Sequence, residues 1–238
     1  MRQNNLISII IPARNEEKRI RDTLEELEKF FKQWKQPHET IVIVNGNDAT
    51  IDIVKDFAKT HRNVRFIDFK QGLGKGGAVQ KGMQAAKGNP IIYDADASTP
   101  PTEIKKLHDA LKNADIAIGS RNLPESKTTR PAYRDIASQA YNAFVRTLFN
   151  LPFKDTQCGF KALRKNAAKK LLPTLHVKDF AWDIELLLHA RRAGMKIVEI
   201  PIEWKHKKGG TTTPALAAKM ILTTIRIWRR EKKLGLPN

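Results

Sequence analysis

Pro90-Ile91-Ile92-Tyr93-Asp94-Ala95-Asp96 is a short apolar run that ends abruptly in two aspartates one residue apart. The run has the length and β-branching of a buried strand, and Pro100-Pro101 just beyond it suits the opening of a helix. A strand that stops at a pair of carboxylates places them where strand gives way to loop, so both can turn toward one cation. Within a regular strand, residues at this spacing would simply share a face. Carboxylate oxygens are hard ligands and suit Mg²⁺ or Mn²⁺, which keeps open positions for water and substrate phosphates. Asp94 and Asp96 are therefore candidate metal ligands for a diphosphate-bearing substrate. For an isolated pair of this kind, a helix cap or a solvated turn is the competing reading.

Outward from that stretch, short β-branched runs alternate with helical patterns, the mark of βαβ units and a mostly parallel sheet. Leu6 to Pro12 is a strand. Ile20, Leu24, Leu27 and Phe31 recur at helical spacing between Glu16 and Trp34, and Thr40 to Val44 is the next strand. After the Asn45-Gly46 turn come a helix with Ile53, Val54 and Phe57, a strand at Val64 to Phe69, and a helix over Ala78 to Lys87. Asp115 to Gly119 completes the series. Ligands in such sheets gather beyond the carboxyl ends of the strands, where Pro12, Asn45, Gly72, Asp94, Asp96 and Arg121 all fall. The second half predicts a helix from Arg134 to Asn150, an irregular stretch from Leu151 to Phe160, a helix from Ala181 to Arg192 and a strand from Lys196 to Glu203.

The chain has 238 residues, room for one substantial core, read as a catalytic domain over 1–213 followed by a basic amphipathic helix over 214–238. Its 43 lysines and arginines exceed its 25 acidic residues, and the net charge of +18 points to anionic company. A single cysteine, Cys158, excludes an intrachain disulfide and a cysteine-built zinc centre, and suits a reducing compartment. Leu6 to Pro12 is too short for a signal-peptide core, and Lys219 and Arg226 interrupt the most apolar late segment. A cytoplasmic protein peripheral to a membrane face is the expectation. No nucleic-acid recognition module is visible and aromatic residues make up only 7%, so nucleic acid is not the expected partner.

Gly72-Leu73-Gly74-Lys75-Gly76-Gly77 satisfies the GxGxxG pattern after a predicted strand, which raises an NAD-dependent enzyme as a rival. Against it, the dinucleotide fingerprint belongs in the first βα turn, and this is the third. Gly74 and Lys75 equally suit close approach to a sugar nucleotide, and a ligand-free turn is the bland reading.

Six motifs in order carry a resemblance to family 2 glycosyltransferases. They are residues 11–19 around Pro12-Ala13-Arg14-Asn15-Glu16, Gly74-Lys75-Gly76-Gly77-Ala78-Val79, Asp94-Ala95-Asp96, Gly119-Ser120-Arg121, Asp155-Thr156-Gln157-Cys158-Gly159-Phe160-Lys161, and Trp182-Asp183-Ile184-Glu185. Among these enzymes the chain resembles the dolichyl-phosphate β-glucosyltransferases, with dolichyl-phosphate mannose synthases somewhat further off. The resemblance implies a GT-A fold, a Rossmann-like α/β domain, and an inverting single displacement from a UDP- or GDP-sugar to a polyprenyl phosphate. It implies a nucleotide-sugar site at Pro12, Arg14, Glu16, Asn45, Gly74, Lys75, Asp94, Ala95 and Asp96. Asp183 falls where many relatives place a general base, with a helix N-terminal carboxylate as the plainer alternative. Asp96, Asp183 and Arg121 form the expected catalytic set. Arg121, Arg134 and one of Lys205, Lys207 and Lys208 are expected to hold diphosphate or acceptor phosphate, because guanidinium forks match phosphate oxygens, although any one could be surface charge.

Two departures stand out. The usual Asp-Asp-Gly-Ser-type turn is Asn45-Gly46-Asn47-Asp48 here, with Asn45 the best substitute for base recognition, and the Gly-x-Ser-Lys motif is altered to Gly209-Gly210-Thr211-Thr212. Apolar stripes on Arg134 to Asn150 and Pro214 to Lys233 suit either core packing or an anionic membrane surface, and the basic cluster from Arg226 to Lys233 tips the latter helix toward the surface.

Overall fold

The computed structural model describes residues 6–69, 72–207 and 213–235. A seven-stranded sheet runs in the order β3-β2-β1-β4-β7-β5-β8. These strands are β1 (Ile7–Ala13), β2 (His38–Val44), β3 (Val64–Asp68), β4 (Asn89–Ile92), β5 (Ile116–Ser120), β7 (Lys161–Leu163) and β8 (Ile197–Pro201). All are parallel except β7, which runs antiparallel between β4 and β5. A separate ribbon pairs β6 (Lys127–Thr129) with β9 (Glu203–Lys205). The expected last strand thus breaks at Ile202 into two strands of different sheets.

Two layers of helices cover the sheet. On one face lie α1 (Ile20–Trp34), α2 (Thr50–Thr60) and α4 (Glu103–Ala110). On the other lie α3 (Gly74–Ala85), α5 (Ala132–Phe149), α6 (Lys165–Leu171), α7 (Trp182–Arg192) and α8 (Pro214–Lys233). Strand alternation explains the division: Ile7, Ile9 and Ile11 enter one core and Ile10 the other. Each is fully buried, worth about 1.5–3 kcal/mol relative to exposure.

Helix ends follow local rules. Lys35 takes a left-handed conformation at φ 57° and its N–H closes α1 on the Phe31 carbonyl. Thr213 caps α8, accepting from the Leu216 N–H with Pro214 at the first turn. Helix α3 begins at Gly74, four residues earlier than the sequence pattern suggests, and Gly74 takes a left-handed φ of +65° where the chain turns into the helix. Helix α8, expected as an appendage, contributes Ile227 to the core.

Topology fixes the working edge. Parallel β1, β2, β4 and β5 all end there, delivering residues 14–16, Asn45, Asp94 and Arg121. Antiparallel β7 begins there instead, so Gly159 and Lys161 arrive from the opposite chain direction.

Candidate active site

Asp94 and Asp96 lie just past β4 and both are partly exposed. Ala97 has a left-handed φ of 49°, and the Asp96 carboxylate accepts from the Ser98 N–H at 3.0 Å, so the turn is tightly self-bonded. Between the aspartates, Ala95 is buried and its carbonyl accepts from Thr23 Oγ1 at 2.8 Å, which anchors the turn to α1. Among the described residues no group of three or more His, Cys, Asp or Glu forms a closed metal cage. The carboxylates of Asp94 and Asp96 are hard oxygen donors of the kind that suit Mg²⁺ or Mn²⁺, which takes one or two carboxylates and fills its remaining positions with water and phosphate oxygens.

Lys75, from the first turn of α3, donates to Asp94 Oδ1 at 2.7 Å, with its ammonium 5.9 Å from the Phe180 ring centroid. Burial pushes the Asp94 carboxyl up, but Lys75 overcomes this and holds it below the usual range. Burial likewise opposes the charge on Lys75, and Asp94 and Asp183 raise its pKa above normal. Gly159 leaves room for this pair: a Cβ there would stand 2.7 Å from Lys75 Nζ and 3.2 Å from Asp94 Oδ1.

Two further ion pairs flank it. Arg121 grips Asp155 in bidentate fashion, Nε to Oδ2 at 2.7 Å and a terminal nitrogen to Oδ1 at 3.0 Å, while its backbone N–H adds a third bond. The guanidinium lies 5.5 Å from the Trp204 ring centroid. Burial raises the Asp155 carboxyl, yet Arg121 and the backbone donors hold it well below the carboxylate range. Lys161, fully buried, donates to Asp183 Oδ1 at 2.5 Å and to the Cys158 carbonyl. Burial raises the Asp183 pKa, opposed by Lys161 and Lys75. Burial also pushes the Cys158 thiol up to about 11, which makes it an inert core residue.

The glycine loop spends its donors on protein. The Gly76 and Gly77 N–H groups bond the carbonyls of Asp179 and Lys178 at 3.2 and 3.0 Å. Cβ atoms at Gly74 and Gly76 would collide with the Lys178 carbonyl and Trp182. The close approach these glycines permit is to the segment before α7, so the NAD reading loses the donors a pyrophosphate would need.

The other expected site residues are distributed around this centre. Pro12 is half-buried opposite Ile43, and Arg14 is exposed beyond β1. Glu16 binds Arg19 through its carboxylate, and its own N–H donates to Thr50. Burial raises its pKa against the pull of Arg19, with Asp96 and Asp94 adding to the rise, which places a third negative charge near the turn. Asn45 is buried beside Ala13, whose carbonyl accepts the Asn45 N–H at 2.9 Å. Asp48 binds Thr50 and the Glu17 N–H, so it builds the turn. Lys205 pairs with Glu203, but its N–H donates to the Ser98 carbonyl, so β9 borders the aspartate turn. Lys207 is exposed. Arg134 sits at the start of α5 beside Tyr133, and no ion pair among the described residues links it to the carboxylates. Lys208 and the Gly209-Gly210-Thr211-Thr212 motif lie outside the described residues.

Residues 8–172 match the profile described as Glycosyl transferase family 2. The chain belongs to that family. Dolichyl-phosphate beta-glucosyltransferase of Drosophila melanogaster is 34% identical over 226 residues, covering 87% of this chain and 69% of that protein. The protein of the same name in Saccharomyces cerevisiae is 30% identical, over 97% of this chain and 76% of its own length. Glycosyltransferase AglD of Haloferax volcanii is 34% identical over 84% of this chain, which spans only 33% of that protein. Among solved structures, glucosyl-3-phosphoglycerate synthase from Mycobacterium tuberculosis in complex with Mn²⁺, UDP and phosphoglyceric acid superposes with a TM-score of 0.70 at 17% identity, covering 98% of this chain and 80% of that one. The fold of this family 2 glycosyltransferase is accordingly GT-A.

Asp155, Gly159 and Lys161 escaped assignment from sequence although they sit in one quoted motif. The signal was present in Lys161, a charged residue entering an otherwise apolar strand, which needs a buried counter-charge. Its partner Asp183 could not be read from the pattern.

Proposed function

We propose that this family 2 glycosyltransferase moves glucose from UDP-glucose to a polyprenyl phosphate such as dolichyl phosphate. The observation that carries the reading is the set of dolichyl-phosphate beta-glucosyltransferases at 30–34% identity across most of the chain. The site chemistry agrees with them. Asp94 and Asp96 would hold Mg²⁺ or Mn²⁺, which on binding would neutralise charge on the leaving diphosphate. Lys75 supplies a second cation beside Asp94, suited to the same diphosphate. Pro12, Arg14, Glu16, Asn45, Gly74 and Ala95 surround the nucleotide side of the pocket in this reading. Arg134, Lys205, Lys207 and Lys208 remain candidates for the acceptor phosphate.

In the proposed step an acceptor phosphate oxygen forms a bond to the anomeric carbon as the bond from that carbon to the diphosphate oxygen breaks, and UDP leaves with the electron pair. A phosphate monoester, with a second pKa of about 6, is largely dianionic at neutral pH and brings no proton to remove. Asp183 therefore serves best as the fixed counter-charge of Lys161 and not as a general base. Arg121, its fork engaged by Asp155, serves as a rigid positive wall.

No helix among the described residues is long and apolar enough to cross a membrane. Among the described residues the exposed large hydrophobics, Tyr133, Ile136, Phe144, Ile221, Leu222 and Leu234, all belong to α5 or α8 or the cap of α8. With Arg226, Arg229, Lys232 and Lys233 nearby, they form the face proposed to rest on an anionic membrane.

Thermal-shift screening of UDP-glucose and GDP-mannose with and without Mn²⁺ tests the donor: UDP-glucose with metal is expected to stabilise most. Transfer of labelled glucose to dolichyl phosphate tests the acceptor. Preference for GDP-mannose, or transfer only to water-soluble acceptors, would overturn the reading.

A further inference from the structure

Helix α8 exposes Ile221 and Leu222 on its outer face, yet its inner face is bonded to the segment on which the glycine loop rests. Thr223 Oγ1 donates to Asp179 Oδ2 at 2.7 Å. Two turns later, Arg230 donates to Glu185 Oε1 at 2.6 Å, and the other oxygen of that fully buried carboxylate accepts the His176 and Val177 N–H groups at 2.8 and 2.7 Å. Glu231, also fully buried, pairs with Arg192 of α7 at 2.6 Å and holds the end of α8 in place. Residues 176–179 are thus fixed from α8 at one point directly and at another through Glu185.

Three of these four residues also fix the loop that carries Lys75. Asp179 and Lys178 accept the Gly76 and Gly77 N–H groups, and Val177 accepts from Gln80 Nε2 at 2.8 Å. Phe180, next in the chain, lies beside the Lys75 ammonium. The contacts are tight, since a Cβ at Gly76 would approach the Val177 carbonyl to 2.7 Å and the Trp182 Cβ to 2.6 Å. A shift of residues 176–180 must therefore move Lys75 relative to Asp94, because no slack separates the two segments.

We propose that Thr223, Arg230 and Glu185 are positioning residues for catalysis: through residues 176–180 they set the place of Lys75 against Asp94. This rests on the reading of Lys75 as a diphosphate-binding cation. None of the three touches Lys75 or Asp94, and Glu185 faces away from its neighbour Asp183 to do this work. The C-terminal helix then has two jobs on two faces, Ile221 and Leu222 outward and Thr223, Ile227 and Arg230 inward.

The test is a cycle on the full chain with Thr223→Val, Thr223→Ser, Lys75→Met and the Thr223→Val/Lys75→Met double variant. Each is assayed for kcat and KM toward UDP-glucose with Mn²⁺, for vesicle flotation and for thermal midpoint. Misplacement of a charged group by a fraction of an ångström predicts a kcat about tenfold lower in Thr223→Val, with Thr223→Ser restored to within about twofold and flotation unchanged. In the Lys75→Met background the valine should cost less than about twofold more, since residues acting through one group are not additive. Wild-type kcat in Thr223→Val, or the same tenfold loss persisting without Lys75, overturns the proposal. An unaltered Lys75→Met enzyme refutes the role given to Lys75 and the positioning role with it, whereas an impaired Lys75→Met beside an inert Thr223→Val refutes positioning alone. Loss of kcat in Thr223→Val that serine does not rescue also counts against it.

Discussion

The two halves of the sheet edge are built by different means. From β1 to β4 the chain repeats βα units, and backbone geometry alone lines up residues 14–16, Asn45, Asp94 and Asp96 at successive strand ends. Beyond β4 the edge is held by ion pairs whose carboxylates are all buried: Arg121 with Asp155, Lys161 with Asp183, and Glu185 with Arg230. The aspartates of the first half are partly exposed and the carboxylates of the second are buried. The first half therefore presents chemistry at little cost in stability, while the second holds its shape through pairs that cannot lose a partner cheaply.

That difference can be broken most directly at Asp96. Asp96→Asn should lower kcat on the order of a thousandfold, the loss of several kcal/mol of charge stabilisation, with a thermal midpoint close to wild type. A large drop in midpoint instead would mean that the first half also depends on its charges for stability. Asp155→Asn should do the reverse in emphasis: leaving Arg121 buried without its counter-charge is expected to cost about 3–5 kcal/mol in urea unfolding, with activity lost alongside. An Asp155→Asn protein as stable as wild type would erase the distinction.

The pH dependence sharpens the same contrast. The Asp155 carboxyl is held below its ordinary value of about 3.9, so the unfolded chain binds a proton that the native state refuses. Stability from this pair is fully present above that value and is lost as pH falls through the depressed native one. Urea midpoints measured from pH 6 downward should fall steeply in wild type below about pH 4 and less steeply in Asp155→Asn. The smallest effect belongs to the outer surface. Ile221→Ser with Leu222→Ser should alter stability by no more than about 0.5 kcal/mol, while weakening flotation on anionic vesicles.

Legibility followed the same division. Ile20, Leu24, Leu27 and Phe31 announce α1 because helical period is written in neighbouring residues, and Asp94 and Asp96 announce themselves because two carboxylates stand together at a strand's end. Strand β7 follows directly on the irregular stretch expected over Leu151 to Phe160 and carries no strand signal of its own, since three residues with Lys161 at their head offer no alternation to recognise. The Gly72–Gly77 stretch matches a dinucleotide pattern and equally suits close approach to a sugar nucleotide, yet Gly76 and Gly77 bond to residues before α7, far away in sequence. Likewise Leu216, Met220, Ile221, Ile225 and Trp228 read as a single stripe, but Ile221 lies outward while Met220 and Trp228 are half-buried.

The sequence by itself determined the family, the order of the β1 to β4 units and the location of the paired aspartates, because each is encoded in contiguous residues whose spacing matches one backbone period or one motif. Tertiary structure alone decided that Asp155 would take Arg121, that Lys161 would take Asp183, and that Thr223 would reach Asp179. Those partners are 34, 22 and 44 residues apart. A buried charge demands some counter-charge, but only the folded chain selects which one, because the choice depends on strand order and helix placement that no local pattern contains.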